Sequence, residues 1–357
     1  MLRDSLIFFI LFFLCSASIA TASNDNLLKI KKFAEECQRE KHTLQGGAIA
    51  ILYKGRVVYK TTFGKRIGNR QKITADTLFP LASVSKPISA LSIAFLAEHS
   101  DFSFEKKIKL SCIGTDISMK DILSHSTGYD FSGNPQIERG FSRNALLSQI
   151  SKQCPKCRVG ECYFYSNAIF SLSEEFLKAN ELNLRNAVVA MSDRLGVNGI
   201  HMFPIKRNHA IAYPHLVIKR KGKRVLKSLP FPPYYPKTVS SAAGVFASLN
   251  GMIEILKLSS GYREDVISRK MLRYLYTPVV KSHSKDKRSG IKKYYAIGWR
   301  VGKTSNKKMI FHGGSINGVN SFIGFVPSAE VGIVILTNQQ SSFPSKKGLK
   351  FCELFMH

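Results

Sequence analysis

Thr77-Leu78-Phe79-Pro80-Leu81-Ala82-Ser83-Val84-Ser85-Lys86-Pro87-Ile88 is the stretch that decides the fold. Its first six residues are strand-like, and Ile88, Leu91, Ser92, Phe95 and Leu96 then follow at helical spacing. Pro87 suits a first helical turn, where its missing N–H leaves no bond unmade. Residues i and i+3 share a helix face, so Ser83 and Lys86 point into the same space. A serine hydroxyl is a poor nucleophile until a neighbour takes its proton. The Lys86 amine can take it once burial or a nearby cation lowers its pKa.

Spacing alone carries little weight, because Ser-x-x-Lys occurs six times, starting at Ser83, Ser103, Ser282, Ser284, Ser289 and Ser305. The other five lie in Lys-rich, solvated segments. Only Ser83 stands between a strand-like run and an apolar helical one. Taken by itself, a Ser-capped core helix with a surface Lys explains the motif equally well.

Met1-Leu2-Arg3-Asp4, an apolar run from Leu6 to Cys15, and small residues around Ala20 and Ala22 read as a secretory signal peptide over residues 1–22. An uncleaved N-terminal anchor is the alternative. The expected product is periplasmic or secreted, of about 335 residues, one large domain or two smaller ones. Cys37, Cys112, Cys154, Cys157, Cys162 and Cys352 remain, an even count that favours disulfides in an exported chain. The expected pairs are Cys157 with Cys162 across a tight loop and Cys37 with Cys352 joining the terminal helices. No second Cys-x-x-Cys follows Cys154-Pro155-Lys156-Cys157 to complete a zinc ribbon.

The net charge is +29, from 53 basic and 24 acidic residues. Export argues against nucleic acid as the partner, and no aromatic residues interleave with the basic runs in a stacking pattern. Peptidoglycan or an anionic envelope surface fits the charge better. A merely solvated basic surface fits it as well. The oligomeric state is left open.

Along the chain, residues 27–41 suggest an amphipathic helix, and Gly46 to Tyr53 with Val57 to Phe63 a hairpin turning at Lys54-Gly55. A helix is expected from Ser83 to about His99, then mostly helix and loop to Tyr235, with Ile169 to Leu177 and Leu184 to Leu195 clearest. Another helix is expected near Ser248 to Leu258. Strand patterns return at Tyr295 to Val301, Met309 to His312, Phe322 to Val326 and Val331 to Thr337, before a last helix over Lys346 to Phe355. The expected fold is α+β: an antiparallel sheet flanked by helices, built from about 23–100 and 237–357, with a mostly α-helical insert over about 101–236.

Two further elements complete a possible site. Tyr165-Ser166-Asn167 is the only Tyr-x-Asn in the chain, and His312-Gly313-Gly314-Ser315 ends a β-run. A Tyr can relay a proton if cations keep its phenolate accessible. An Asn amide can hold a substrate carbonyl or orient the lysine. A Gly pair lets a substrate backbone approach the strand edge closely. Each also has a structural explanation: a capping Tyr, a turn Asn, a β-bulge.

In this order, the three elements resemble the penicillin-recognising serine hydrolases, in their class C β-lactamase-like branch. The resemblance spans roughly residues 45–340. It is supported by Gly46-Gly47-Ala48-Ile49-Ala50, Asp76-Thr77-Leu78-Phe79, Leu123-Ser124-His125-Ser126-Thr127-Gly128, Leu195-Gly196-Val197, Ala242-Ala243-Gly244-Val245, Gly298-Trp299 and Phe325-Val326-Pro327. It implies a β-lactamase/transpeptidase-like fold and acyl transfer with no metal or cofactor. It also implies Ser83 as nucleophile, Lys86 as proton acceptor and Tyr165 as partner base and later acid. Asn167, His312, Gly314 and Ser315 would bind substrate, with the N–H groups of Ser83 and Ser315 as oxyanion donors. His125 would be a structural turn residue.

One departure stands out. The β-lactamases proper carry a Lys where His312 stands; that Lys recognises a substrate carboxylate and lowers the proton affinity of the Tyr. A His would do both less well at neutral pH, and its charge would switch near its own pKa. His-x-Gly variants resemble aminopeptidases, esterases and peptidases of D-amino-acid compounds. The expected protein is an exported serine hydrolase of amides or esters, a D,D-peptidase, esterase or β-lactamase. A non-catalytic relative that binds cell-wall material is the alternative. A Ser-His-Asp esterase is disfavoured, since no Gly-x-Ser-x-Gly elbow is present.

Overall fold

The computed structural model describes residues 24–356 except 69, 206–209, 221–222, 231–233 and 283–289. The expected signal segment and most of the basic run at 281–288 lie outside these residues.

Nine described strands form one antiparallel sheet. Its order is Val280–Lys281, Lys292–Tyr295, Arg300–Lys303, Lys308–Ile316, Val319–Val326, Val331–Thr337, Gly46–Tyr53, Arg56–Ile67 and Arg70–Lys72. The first strands of the chain thus pair with the last, Ala48 opposite Leu336 and Ile51 opposite Ile333. Gly46–Tyr53 and Val331–Thr337 read as continuous apolar runs because both faces of the sheet centre are covered. Ala48, Ala50, Leu52, Val334 and Leu336 enter the larger core. Ile49, Ile51, Tyr53, Ile333 and Ile335 enter a second, smaller one on the opposite face.

The smaller core lies under the terminal helices, residues 24–40 and Phe343–Glu353. Phe33 meets Phe351 edge-to-face at 5.1 Å, and the buried Lys347 ammonium bridges Glu36 and Glu40. The expected Cys37–Cys352 disulfide is absent: both are free, buried thiols that pack as small apolar groups. Burial pushes the Cys37 thiol up to about 12 and raises that of Cys352 as well. Aromatic packing and the Lys347 ion pairs join these helices instead. The expected Cys157–Cys162 bridge is formed.

Helix Ser85–His99 runs through the larger core, and its first ten residues are all buried. Its serines do not oppose this, because each hydroxyl finds a partner. Ser85 accepts from the Val245 N–H at 2.9 Å, while Ser89 and Ser92 donate to the carbonyls of Ser241 and Ile88. Leu184–Leu195, Leu249–Ser259 and Arg269–Leu275 cover the same side.

Several boundaries differ from expectation for local reasons. Ser83 is not in the α-helix but in a 3₁₀ turn, Ala82–Val84, just ahead of it. The run from Tyr295 to Val301 is two strands, because Gly298 takes a left-handed φ of 76° and reverses the chain. A side chain at Gly298 would strike the Ala90 Cβ at 2.5 Å, so the turn packs directly on the Lys86 helix. Residues 167–178 form two short helices, Asn167–Phe170 and Leu172–Lys178. Gly244 leads into a strand, Val245–Ala247, before helix Leu249–Ser259. Within the stretch expected to be helix and loop, His215–Arg220 and Lys223–Ser228 form a β-hairpin.

Candidate active site

The 3₁₀ turn holds Ser83 against the strand that carries the Gly pair. Ala82 has a left-handed φ of 48°, uncommon for a residue with a Cβ and sustained only by firm surroundings. Those surroundings are the Ser321 hydroxyl, donating to the Leu81 carbonyl at 2.6 Å, and the backbone of Gly314. A Cβ at Gly314 would lie 2.3 Å from the Leu81 oxygen and 3.1 Å from the Ser83 nitrogen. Gly314 is therefore required for close approach of strand and turn.

Lys86 is fully buried, and its ammonium nitrogen has three oxygen partners. It reaches Asn167 Oδ1 at 2.6 Å, the Ala242 carbonyl at 3.2 Å and Ser83 Oγ at 3.3 Å. Burial lowers its pKa, and the positive charge of Arg300 pushes in the same direction against the pull of Tyr165. Tyr165 lies beneath two cations, Lys86 Nζ 4.7 Å and the Arg300 guanidinium 5.2 Å from its ring centre. Burial opposes ionisation of the phenol, but the charges of Lys86 and Arg300 and hydrogen bonds to Lys86 and Ser83 together outweigh it, and the net direction is down.

The Tyr165 segment is held from behind. His125, itself in a left-handed φ of 59°, accepts at Nδ1 from the Ser166 N–H at 3.3 Å, and its carbonyl accepts from Phe164 N–H at 3.0 Å. The Ser166 hydroxyl caps the next helix by accepting from Ile169 N–H. Asn167 is thereby fixed on the first turn, with its amide nitrogen on Asn134 Oδ1 at 2.9 Å. The Cys157–Cys162 loop packs on the same turn, where the Lys156 N–H donates to the Gly128 carbonyl.

His312 does not reach the cleft surface. It is fully buried, with Nδ1–H donating to its neighbour's carbonyl on Gly313 and Nε2 accepting from the Tyr295 hydroxyl at 2.9 Å. Burial, then Arg300 and Lys86, hold its pKa well below the ordinary 6.5. A charge switch near the usual histidine pKa is thereby removed, because an imidazolium here would face two cations without solvent. The cation that sequence reasoning missed at this place is Arg300. It follows the matched Gly298-Trp299 pair, but a single Arg at a strand start carries no distinctive signal. Tyr295, Asn134 and Gln340 escaped notice likewise; Gln340 Nε2 donates to the Ser315 hydroxyl at 3.2 Å.

Ser83, Asn134, Glu138, Asn167, Tyr235, Ser315 and Gln340 line a mostly polar cleft of about 150 Å³. Ser83 and the exposed Ser315 open to it, with Lys86 and Tyr165 deeper. Among the described residues no three His, Cys, Asp or Glu side chains are grouped to hold a metal, and no helix is long and apolar enough to cross a membrane. The site thus joins a hydroxyl, a desolvated amine and an acidified phenol, the groups needed to activate an alcohol and return its proton to a leaving group.

The sequence matches the beta-lactamase family over residues 31–350, and the chain belongs to that family, as a serine hydrolase-type enzyme. Penicillin-binding protein 4* of Bacillus subtilis (strain 168) is 30% identical over 99 residues, 26% of this chain and 22% of that protein. The matched stretch is thus about a fifth of that relative's length. Among solved structures, the octameric penicillin-binding protein homologue from Pyrococcus abyssi superposes with a TM-score of 0.77 at 20% identity, covering 92% of this chain and 77% of that one. EstCE1, a hydrolase with promiscuous acyltransferase activity, gives 0.72 at 15% identity over 94% and 99%. The D-amino acid amidase from Ochrobactrum anthropi SV3 gives 0.71 at 13% over 92% and 98%. These likenesses establish the β-lactamase/transpeptidase-like α+β fold.

Proposed function

We propose that this enzyme transfers acyl groups through a covalent ester on Ser83, hydrolysing an amide or ester such as a peptidoglycan-type D-amino-acid peptide or a β-lactam, after export from the cytoplasm. What supports this most directly is the buried Lys86 amine, 3.3 Å from Ser83 Oγ and shared with Asn167. Lys86, with its depressed proton affinity, takes the Ser83 proton as Oγ attacks the substrate carbonyl. The Ser83–C bond forms, the carbonyl becomes an oxyanion, and the N–H groups of Ser83 and Ser315 stabilise it. Tyr165 passes a proton to the departing amine or alcohol. Water then attacks the ester with Tyr165 and Lys86 as base, and Ser83 regains its proton. Arg300 takes over the task of holding the Tyr165 phenol acidic, which the buried, neutral His312 does not perform.

Neither His312 nor Arg300 lines the cleft, so a substrate carboxylate gains no cationic anchor from either. Within that range, neutral esters and amides are therefore preferred over peptides and β-lactams that carry a free carboxylate. Turnover of a nitrophenyl ester, a D-alanine nitroanilide and a chromogenic cephalosporin by wild type and Ser83→Ala is the test. Ester or amide turnover that vanishes in Ser83→Ala is expected. Equal rates for the two proteins would refute the assignment.

A further inference from the structure

Far along the sheet from Ser83, Lys292, Lys303 and Lys308 stand directly opposite one another on three adjacent strands. Directly paired residues of an antiparallel sheet point to the same face, about 5 Å apart. Like charges in that register destabilise the pairing. None of the three has a carboxylate partner among the described residues. The row ends in a concavity of about 270 Å³ lined by Lys308, Arg269, Arg273, Tyr262, Tyr276 and Phe325, with Glu330. Glu330 accepts from the Tyr262 hydroxyl at 2.9 Å, and Arg269 pairs with Glu264. Arg273 and Lys308 have no ion-pair partner among the described residues. Burial, then the charges of Lys303 and Arg273, lower the pKa of Lys308, as expected of a cation crowded by others.

A file of lysines held in mutual repulsion, leading into a hollow with a free guanidinium, is what a multiply charged anion would relieve. We propose that this hollow, distinct from the Ser83 cleft, binds a phosphate-bearing ligand, with Arg273 and Lys308 on the phosphate and Lys303 and Lys292 extending the contact to a second anionic group. Leu272, Phe325 and Pro327 supply an apolar wall for whatever carries the phosphate. The row also gives part of the high net charge a local purpose, since its three lysines have no carboxylate partner among the described residues.

Calorimetric titration with inorganic pyrophosphate tests the site. Saturable binding is expected, weakened about tenfold or more by Lys308→Met and by Arg273→Met. Ester turnover should be equal in all three proteins, which shows that the variants are folded. Flotation with phosphatidylglycerol vesicles tells the sources apart. Vesicle binding that pyrophosphate competes away and both substitutions weaken marks a lipid headgroup. Pyrophosphate binding with vesicle binding indifferent to both substitutions marks a soluble phosphate. No pyrophosphate binding by wild type, or equal binding by all three proteins, overturns the proposal.

Discussion

Replacing Gly314 by Ala adds one methyl group at the point where strand Lys308–Ile316 lies against the nucleophile's turn. That methyl would sit 2.3 Å from the Leu81 carbonyl oxygen, 2.4 Å from Ser321 Oγ and 3.1 Å from the Ser83 nitrogen. The first contact falls about 1 Å short of ordinary van der Waals separation. Leu81 is backbone, so relief must come from moving the strand or the turn rather than from a rotamer. Overpacking of this kind costs roughly 1–3 kcal/mol of stability. The functional cost should be larger, since a misplacement of about 1 Å at a reacting group lowers rates about a hundredfold. Gly313→Ala is the matched control, because its added carbon meets Ser345 Oγ at 3.0 Å, the end of a side chain, and the Ser321 carbonyl at an ordinary 3.9 Å. Steady-state kinetics on an ester, with urea melts of both variants, decide the matter. Gly314→Ala retaining activity within a few-fold of wild type while Gly313→Ala loses it would refute the packing argument.

Three other outcomes are expected. Arg300→Met removes the positive charge over Tyr165 and beside Lys86, so both groups hold their protons to higher pH. The rising limb of kcat/KM should move alkaline, with activity at neutral pH falling roughly tenfold; an unmoved limb contradicts the role given to Arg300. His125 and His312 are buried with pKa values well below 6.5, so their stabilising contribution is complete above that pH and lost as pH falls below it. Each can then remove up to about 1.4 kcal/mol per pH unit. Urea melts between pH 6.5 and 5.5 should show that decline, reduced in His312→Gln, and an identical slope in the variant counts against a neutral buried His312. Peptide mapping without reduction should recover Cys157 linked to Cys162 and leave Cys37 and Cys352 as thiols that alkylate only after unfolding; a Cys37–Cys352 peptide would contradict the terminal packing described above.

Much of the architecture was legible because local and long-range signals agree. The apolar runs at 46–53 and 331–337 announce a sheet centre, and Ile88, Leu91, Phe95 and Leu96 at helical spacing announce a helix packed on the core. Ser83, Lys86, Tyr165 and Asn167 were legible as two motifs in order, and the fold brings them within contact. Arg300 was not, because its role depends on a turn at Gly298 that brings a strand start over the Tyr165 ring. The environment of His312 was hidden for the same reason: sequence names the residue, but only packing against Tyr295 reveals that it is dry and neutral. The Cys37–Cys352 pair shows the opposite failure. An even cysteine count suggested a bond where two thiols serve an apolar core that aromatic rings already close.

The most direct test is intact-mass spectrometry of the protein quenched in acid during turnover of a slow ester or after exposure to a fluorophosphonate. One acyl or phosphonyl adduct per chain is expected, mapping to the peptide that contains Ser83 and absent from Ser83→Ala. An adduct on another residue, or product formed with no adduct ever trapped and undiminished in Ser83→Ala, would contradict a covalent mechanism at this site.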